Sequence, residues 1–223
     1  MHYKYKSKPF AHQDKALQMS WDKEVFAYFM EMGTGKSKVL IDNIAMLYNA
    51  GRINGALIVA PKGVYKNWYD QEIPNHMPDY VPKKMGLWRT DPNAKDLKPM
   101  FSTGAELHIL IMNVEAFSTK KGLQFAHKFL SSHDALMGVD ESTTIKNPSA
   151  KRTKNILSLR SLTKYRRILT GSPVTKSPLD LFSQCNFLDP WLLDQSSYYS
   201  FRTRYAICRK IQVHGRQVEI VVG

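Results

Sequence analysis

The chain has 223 residues, of which 43% are hydrophobic and 23% charged, a composition typical of a folded domain and not of a disordered chain. Its longest apolar run is the six residues from Val25 to Met30, well short of the roughly 20 that a transmembrane helix needs. Lys and Arg total 32 against 19 for Asp and Glu, and the resulting charge of +13 favours a polyanionic partner such as nucleic acid.

Apolar runs rich in β-forming residues alternate along the chain with segments of helical periodicity. Strands are predicted at 24–29, 55–60, around 85–88, and at 108–112, 135–139 and 166–169. Helices are predicted at 36–49, 62–73, 122–130, 149–162 and 178–187. Strands that alternate with crossover helices predict an α/β fold with a mostly parallel sheet and helices on both faces.

Two stretches depart from this alternation. Residues 74–103 are polar and rich in proline, which indicates a surface excursion that contains the strand around 85–88. Residues 208–222 alternate apolar and polar side chains around His214-Gly215, which predicts a C-terminal β-hairpin outside the main sheet.

The strongest local motif is a glycine-rich turn between the first predicted strand and the helix at 36–49. It consists of Glu31-Met32-Gly33-Thr34-Gly35-Lys36-Ser37. Glycines let backbone N–H groups wrap around phosphate oxygens, and a helix N-terminus adds partial positive charge. In this pattern Lys36 reaches the β and γ phosphates and the Ser37 hydroxyl binds Mg²⁺. Met30 stands where the general pattern has its first glycine, and a turn that merely begins a helix is the alternative.

An acidic pair, Asp140-Glu141, follows the strand predicted at 135–139. Taken alone, such a pair usually marks the start of a solvated loop. Beside a phosphate loop it indicates a nucleotide-hydrolysing site, because Asp140 would hold Mg²⁺ through water and Glu141 would position and deprotonate the attacking water. We therefore expect Lys36, Asp140 and Glu141 to be the catalytic residues.

Further polar residues stand near the ends of other predicted strands. Thr170-Gly171-Ser172 follows the last strand, and we expect its two hydroxyls to hydrogen-bond the acidic strand end and couple the phosphate state to a neighbouring surface. Pro61, Lys62 and Lys66 follow the second strand, where the lysines are placed to meet a nucleic-acid strand. We interpret Trp68, in the same segment, as a packing residue.

The remaining features are less specific. The Gln13 amide has the donor and the acceptor that are needed to pair with adenine. Nine basic side chains and no acidic one lie between Ser142 and Leu179, which either a nucleic-acid surface or solubility explains. The sequence contains neither a Cys/His spacing typical of zinc sites nor a nucleophile elbow.

Taken in order, these motifs resemble those of the superfamily 2 helicases and, more narrowly, of the Swi/Snf-type translocases. The matching stretches are Ala11-His12-Gln13, Glu31-Met32-Gly33-Thr34-Gly35-Lys36-Ser37, Leu57-Ile58-Val59-Ala60-Pro61, Asp140-Glu141-Ser142-Thr143-Thr144-Ile145-Lys146-Asn147-Pro148 and Leu169-Thr170-Gly171-Ser172-Pro173. Asn186-Phe187-Leu188 and Phe201-Arg202-x-Arg204-Tyr205 are also typical of the Swi/Snf branch. Thr143 stands where DEAH-like members carry His.

The resemblance implies a RecA-like P-loop fold that binds ATP with Mg²⁺ and couples ATP hydrolysis to movement on double-stranded DNA. It implies that Gln13 contacts adenine and that the loop from Met32 to Ser37 holds the phosphates. Thr170-Gly171-Ser172 would couple hydrolysis to movement. The residues expected on the nucleic-acid side are Pro61, Lys62, Lys66, Asn113 and Lys146.

By the same resemblance, residues 1–190 form an N-terminal ATP-binding lobe and residues 191–223 an extension toward a second RecA-like lobe of the same polypeptide. That second lobe normally supplies arginine fingers, and no Gln-x-x-Gly-Arg-x-x-Arg motif occurs here, so we expect the chain alone to be nearly inactive. Another P-loop enzyme, such as a small-molecule kinase, and a non-catalytic nucleic-acid-binding module are the alternatives.

The expected location is the cytoplasm. Residues 1–10 are basic but lack the apolar stretch of a secretory signal. Two cysteines in a chain of this size do not form a disulfide framework, so reduced thiols are expected. The compact size and short insertions favour a bacterial or phage protein. No membrane partner is expected.

Overall fold

The computed structural model describes residues 3–91, 95, 97–102, 104–195, 197–213 and 216–221. Its main sheet consists of β1 (Val25–Phe29), β2 (Gly55–Ala60), β3 (Lys83–Leu87), β4 (Leu107–Asn113), β5 (Ala135–Asp140) and β6 (Tyr165–Thr170). The strands lie in the order β1-β6-β5-β2-β4-β3, and all neighbours are parallel. The predicted α/β fold with a parallel sheet is therefore confirmed.

Helices cover both faces of this sheet, which is why its central strands are continuous apolar runs. Every residue of β2 is buried, and successive side chains belong to opposite apolar clusters. Leu57 lies in the cluster that contains Phe125, whereas Ile58 lies in the cluster that contains Ile44. The two faces of the sheet thus bury separate halves of the core.

The helices are α1 (Ala11–Ser20), α2 (Lys36–Asn49), α3 (Tyr65–Asn67), α4 (Ile73–His76), α5 (Lys120–Ser131), α6 (Lys151–Ser158), α7 (Leu181–Leu188) and α8 (Tyr198–Tyr205). The helix at 36–49 has the predicted bounds. The segment predicted as one helix at 62–73 begins at Tyr65 and includes a π-helical turn, Trp68–Glu72, between α3 and α4. The helix predicted at 149–162 is shorter, because a 3₁₀ turn at Arg160–Leu162 follows it. The sequence did not predict α1 or α8.

The C-terminal hairpin is confirmed. Strands β7 (Cys208–Val213) and β8 (Arg216–Val221) pair antiparallel in a separate two-stranded sheet. The predicted turn at His214-Gly215 lies outside the described residues. Before the hairpin, Phe201 of α8 packs on Phe182 of α7, with ring centroids 5.5 Å apart. Residues beyond 190 therefore contact the main body, and the boundary at 190 stays a prediction.

The helices of the molecule are short or amphipathic. Across the described part of the chain, no helix combines the length and the apolar character needed to cross a bilayer.

Candidate active site

The glycine-rich loop connects β1 to α2 at the carboxyl edge of the sheet. Gly33 and Gly35 have φ of 76° and 80°, in the left-handed region that favours glycine. A Cβ at Gly35 would lie 2.2 Å from Gln13 Nε2, so any other residue there would also displace the Gln13 amide. Gly35 is the N-cap of α2 and offers no side-chain acceptor, so the N–H groups of the first helical turn are left for an anion.

Lys36 is buried beneath this loop and holds it in shape. Its ammonium donates to the carbonyl oxygens of Met30, at 2.9 Å, and Glu31, at 3.1 Å. An ammonium has three donors, so one stays available for a phosphate oxygen. Met30 contributes a carbonyl and has no positive φ, which explains why this loop does not need a glycine at that position.

Gln13 lies on α1 and contacts the loop directly. Its Nε2 donates to the Thr34 carbonyl at 2.9 Å, and its Oε1 accepts from the Phe10 N–H at 3.0 Å. The His12 ring also contacts the Thr34 carbonyl, at 2.9 Å. Gln13 is therefore positioned at the loop, and its contact with adenine stays a prediction.

The acidic pair lies at the end of β5. Asp140 Oδ2 accepts a hydrogen bond from the Trp68 indole at 2.9 Å, and Oδ1 accepts from the Glu141 N–H at 2.9 Å. The pKa of Asp140 is raised above its usual value, mainly because the carboxyl is buried. The Glu141 carboxylate also raises it, whereas the Trp68 hydrogen bond and the charge of Lys36 lower it. Glu141 has a φ of 46°, an uncommon conformation for a non-glycine residue that turns the chain sharply after the strand.

Thr170-Gly171-Ser172 follows β6, which lies between β1 and β5 in the sheet. The Thr170 hydroxyl accepts from the Ser172 N–H at 3.2 Å. The hydrogen bonds that we expected from Thr170 and Ser172 to Asp140 or Glu141 are not among those formed by the described residues. In this structure the hydroxyls are therefore not the link to the acidic strand end.

Gln184 of α7 makes that link instead, and the sequence did not predict it. Its Oε1 accepts from the Ser142 hydroxyl at 2.6 Å, and its Nε2 donates to the carbonyls of Pro173 at 2.8 Å and Asp180 at 2.7 Å. The amide thus joins the turn after the acidic pair to the turn after Ser172. Ser183 and Asn186 are polar residues of the same helix, so the sequence does not single out Gln184, whose complete burial only the structure shows.

The residues expected on the nucleic-acid side lie at the carboxyl edge of the sheet. Ala60 pairs with Asn113 in the register of β2 and β4, so Pro61 and Asn113 are neighbours at that edge. Lys62 and Lys66 are exposed. Lys146 is different, because its ammonium forms an ion pair with Asp180 at 3.1 Å and a hydrogen bond with the Thr175 hydroxyl. Its charge is therefore compensated within the chain, and its role at DNA stays a prediction.

The basic run between Ser142 and Leu179 is not one charged face. Arg167 is fully buried, and its guanidinium makes five hydrogen bonds, one to the Asn43 amide and four to backbone carbonyls. Arg152, Arg160 and Arg166 also donate to carbonyl oxygens of the chain. The members that are exposed and form no ion pair among the described residues are Lys151, Lys154 and Lys176.

Together these features define a RecA-like P-loop lobe, with its glycine-rich loop and its acidic pair at the carboxyl edge of a parallel sheet. Comparison with known proteins then gives the family. Residues 23–218 match the SNF2-related domain, and the chain belongs to that family. The resemblance to the Swi/Snf branch is thus confirmed, whereas a bacterial or phage source stays a prediction.

Curated relatives include chromatin-remodeling ATPases named INO80. The protein from Arabidopsis thaliana is 31% identical over 175 residues, which cover 76% of this chain and 11% of that protein. The one from Debaryomyces hansenii is 29% identical over 181 residues, covering 76% of this chain and 12% of that protein. The chain thus spans about a tenth of the length of these relatives.

Solved structures with the same fold include two SWI2/SNF2 ATPase cores. The Sulfolobus solfataricus SWI2/SNF2 ATPase core in complex with dsDNA superposes with a TM-score of 0.71 at 23% identity, over 90% of this chain and 39% of that one. The ATPase core domain from the same organism gives a TM-score of 0.70 at 24% identity, over 90% and 38%. This similarity supports the RecA-like fold.

Proposed function

We propose that the chain is the nucleotide-binding lobe of a motor that uses ATP hydrolysis to move along double-stranded DNA. The observation that carries this proposal is the order of three neighbouring strands. β1, β6 and β5 end in the phosphate loop, the Thr170-Gly171-Ser172 turn and the Asp140-Glu141 pair, respectively. Family membership, INO80 relatives named as ATPases and a fold neighbour bound to dsDNA support it.

The nucleotide would lie against the first turn of α2. The free N–H groups there and the remaining donor of Lys36 bind the phosphates, and Gln13 contacts the adenine. Glu141 orients the attacking water and accepts its proton. Gln184 connects the turns after Glu141 and Ser172 to α7, so a change at the phosphates is transmitted to that helix.

The side chains available for Mg²⁺ fit that ion. The Ser37 hydroxyl forms no hydrogen bond with another described residue, and each Asp140 carboxylate oxygen accepts one bond and keeps a second lone pair. Hydroxyl and carboxylate oxygens are the ligands that Mg²⁺ prefers. Ser37 and Asp140 would therefore hold the ion, directly or through water. When bound, it neutralises charge on the phosphates.

The proposal extends to the type of motor, its location and the rest of its ATP site. The motor acts as a translocase or helicase in the cytoplasm, and a second RecA-like lobe of the same polypeptide completes its ATP site. Strand separation in addition to translocation would appear as release of a labelled strand from a duplex.

Lys36→Ala tests nucleotide binding. The change removes a charge-assisted hydrogen bond worth roughly 1.5–3 kcal/mol, so ATP affinity should fall at least about tenfold. Calorimetric titration with ATP and Mg²⁺ measures the difference. Lys15→Ala, an exposed lysine on α1, is the control and should bind like the unaltered chain. Equal affinity in Lys36→Ala would contradict an ATP site at this loop.

Salt dependence tests DNA binding. If the carboxyl edge of the sheet contacts duplex DNA, the log–log slope of affinity against salt should become shallower by about 0.9 for each phosphate that a lysine no longer neutralises. Reversing Lys151 and Lys154 to Glu should therefore reduce the slope by roughly two, measured by fluorescence anisotropy. Arg152 is left intact because its Nε donates to the Thr144 carbonyl at 2.9 Å.

A matched control uses lysines at the opposite edge of the sheet. Lys23 and Lys164 precede β1 and β6, so Lys23→Glu with Lys164→Glu changes the net charge equally but away from the carboxyl ends. That pair should leave the slope unaltered. If both double variants change the slope equally, general charge and not a defined DNA surface explains the basic composition.

A further inference from the structure

Trp68 connects the acidic pair to a distant part of the chain. Its indole Nε1 donates to Asp140 Oδ2 at 2.9 Å, although the two residues are 72 positions apart. The side chain is only 2% exposed, so it is out of reach of nucleic acid. The packing role expected from the sequence is correct but incomplete, because the polar end of the ring contacts the acidic pair.

The backbone around Trp68 is irregular at the same point. The residue begins the π-helical turn Trp68–Glu72, in which the Ile73 N–H bonds to the Trp68 carbonyl. Such turns are rare and occur frequently at functional sites. The indole lies in the apolar cluster that also contains Ile58 and Ala60 of β2. Packing therefore fixes the donor before any ligand binds.

The Asp140 carboxylate is held at both oxygens. Oδ2 accepts from the Trp68 indole and Oδ1 from the Glu141 N–H, both at 2.9 Å. Two donors on different oxygens fix the plane of a carboxylate, and the lone pairs that they leave then point in defined directions. The Glu141 donor belongs to the adjacent residue, so within the described residues Trp68 is the hydrogen-bond donor that ties the carboxylate to a distant segment of the fold.

We propose that Trp68 is a positioning residue, whose indole N–H orients the Asp140 carboxylate for the Mg²⁺ of bound Mg·ATP. This inference rests on the proposed function of the site. Partners that orient a metal-binding side chain typically contribute 10- to 100-fold to metal affinity. Trp68 should therefore matter for the Mg²⁺-dependent part of nucleotide binding and not for the part that Lys36 and the loop provide.

Trp68→Phe separates these two parts. The variant keeps an aromatic ring but removes the N–H donor. We expect its Kd for ATP in EDTA to equal that of the unaltered chain, and its Kd for ATP with saturating Mg²⁺ to rise about 10- to 100-fold. Calorimetric titration in the two buffers measures both values. Trp88→Phe is the matched control, because Trp88 is also buried but packs on Phe125, with ring centroids 5.0 Å apart.

Three results would overturn the inference. The first is a Mg²⁺-dependent gain in affinity that Trp68→Phe leaves unaffected. The second is a rise of both Kd values together, as a purely structural role requires. The third is the same effect in Trp88→Phe. In an Asp140→Asn background, Trp68→Phe should cause no further reduction of that gain. If the unaltered chain binds ATP in neither buffer, the proposed function fails together with this inference.

A measurement on the unaltered indole covers the case in which Trp68→Phe does not fold. The chain has four tryptophans, and each indole N–H is expected to give its own signal in a ¹⁵N-labelled sample. Asp140→Asn should shift the Trp68 signal and leave the other three in place. Addition of ATP with Mg²⁺, but not of ATP in EDTA, should move the same signal. Four unmoved signals in either test would overturn the inference.

Discussion

Glu141→Gln is expected to lower the rate of ATP hydrolysis by about 10²–10⁴-fold while ATP binding is retained, because an amide cannot accept the proton of the attacking water. The change is nearly isosteric, so it should not disturb the tight turn in which Glu141 has a φ of 46°. Phosphate release at saturating ATP and duplex DNA, in a polypeptide that carries both lobes, measures the decrease.

The control is an exposed glutamate elsewhere, changed in the same way. Glu24 lies just before β1, at the edge of the sheet opposite the acidic pair, so Glu24→Gln should hydrolyse ATP at the unaltered rate. If Glu141→Gln retains full activity, or loses ATP binding in parallel with hydrolysis, Glu141 is not the base.

Residues 1–223 alone are expected to hydrolyse ATP about 10³–10⁵-fold more slowly than a polypeptide that includes a second RecA-like lobe. A cation aimed at the equatorial phosphate oxygens contributes a factor of this size in related reactions. Arg160, Arg166 and Arg167, the arginines beside and within β6, are already hydrogen-bonded to the chain. Because these three guanidinium groups are already engaged, we expect the cation to come from a second lobe.

The comparison requires phosphate release by both proteins, each with and without duplex DNA. ATP affinity should be similar in the two, since the loop and Lys36 are present in both. Stimulation by DNA should appear only in the longer protein. Equal turnover by the shorter one would refute an ATP site divided between two lobes.

The sequence predicted the strands of the sheet well because buried strands are continuous apolar runs, which can be recognised directly in a sequence. β2 and α2 have the predicted bounds, since one is an apolar run ended by Pro61 and the other follows the loop that ends at Gly35. α1 was missed because two of its three buried residues are Gln13 and Ser20. Both side chains are buried because they form hydrogen bonds, Gln13 to the Thr34 carbonyl and Ser20 to the Tyr28 hydroxyl and carbonyls of its own helix, and hydrophobic periodicity does not report hydrogen bonds.

The residues of the candidate site were likewise predicted where a local motif contains them and missed where a long-range contact places them. The glycine-rich loop and the acidic pair are local motifs, and both follow the strands after which the sequence predicted them. Trp68 and Gln184 act through partners 72 and 42 residues away. No local pattern contains that information. Similarly, the composition could not distinguish the buried Arg167, which joins β6 to α2 and to the segment before β1, from a surface lysine.

The position of β1 at the edge of the sheet has a consequence for synthesis. In the described sheet its neighbour is β6, the last of the six strands along the chain, whereas β2 and β4, in the middle, are separated by a single intervening strand, β3. After β1, a ribosome has to make the chain as far as Thr170 before all of β1 can pair, which takes on the order of ten seconds at about 5–20 residues per second. Of the six strands, the one that precedes the glycine-rich loop is thus synthesised first and paired last.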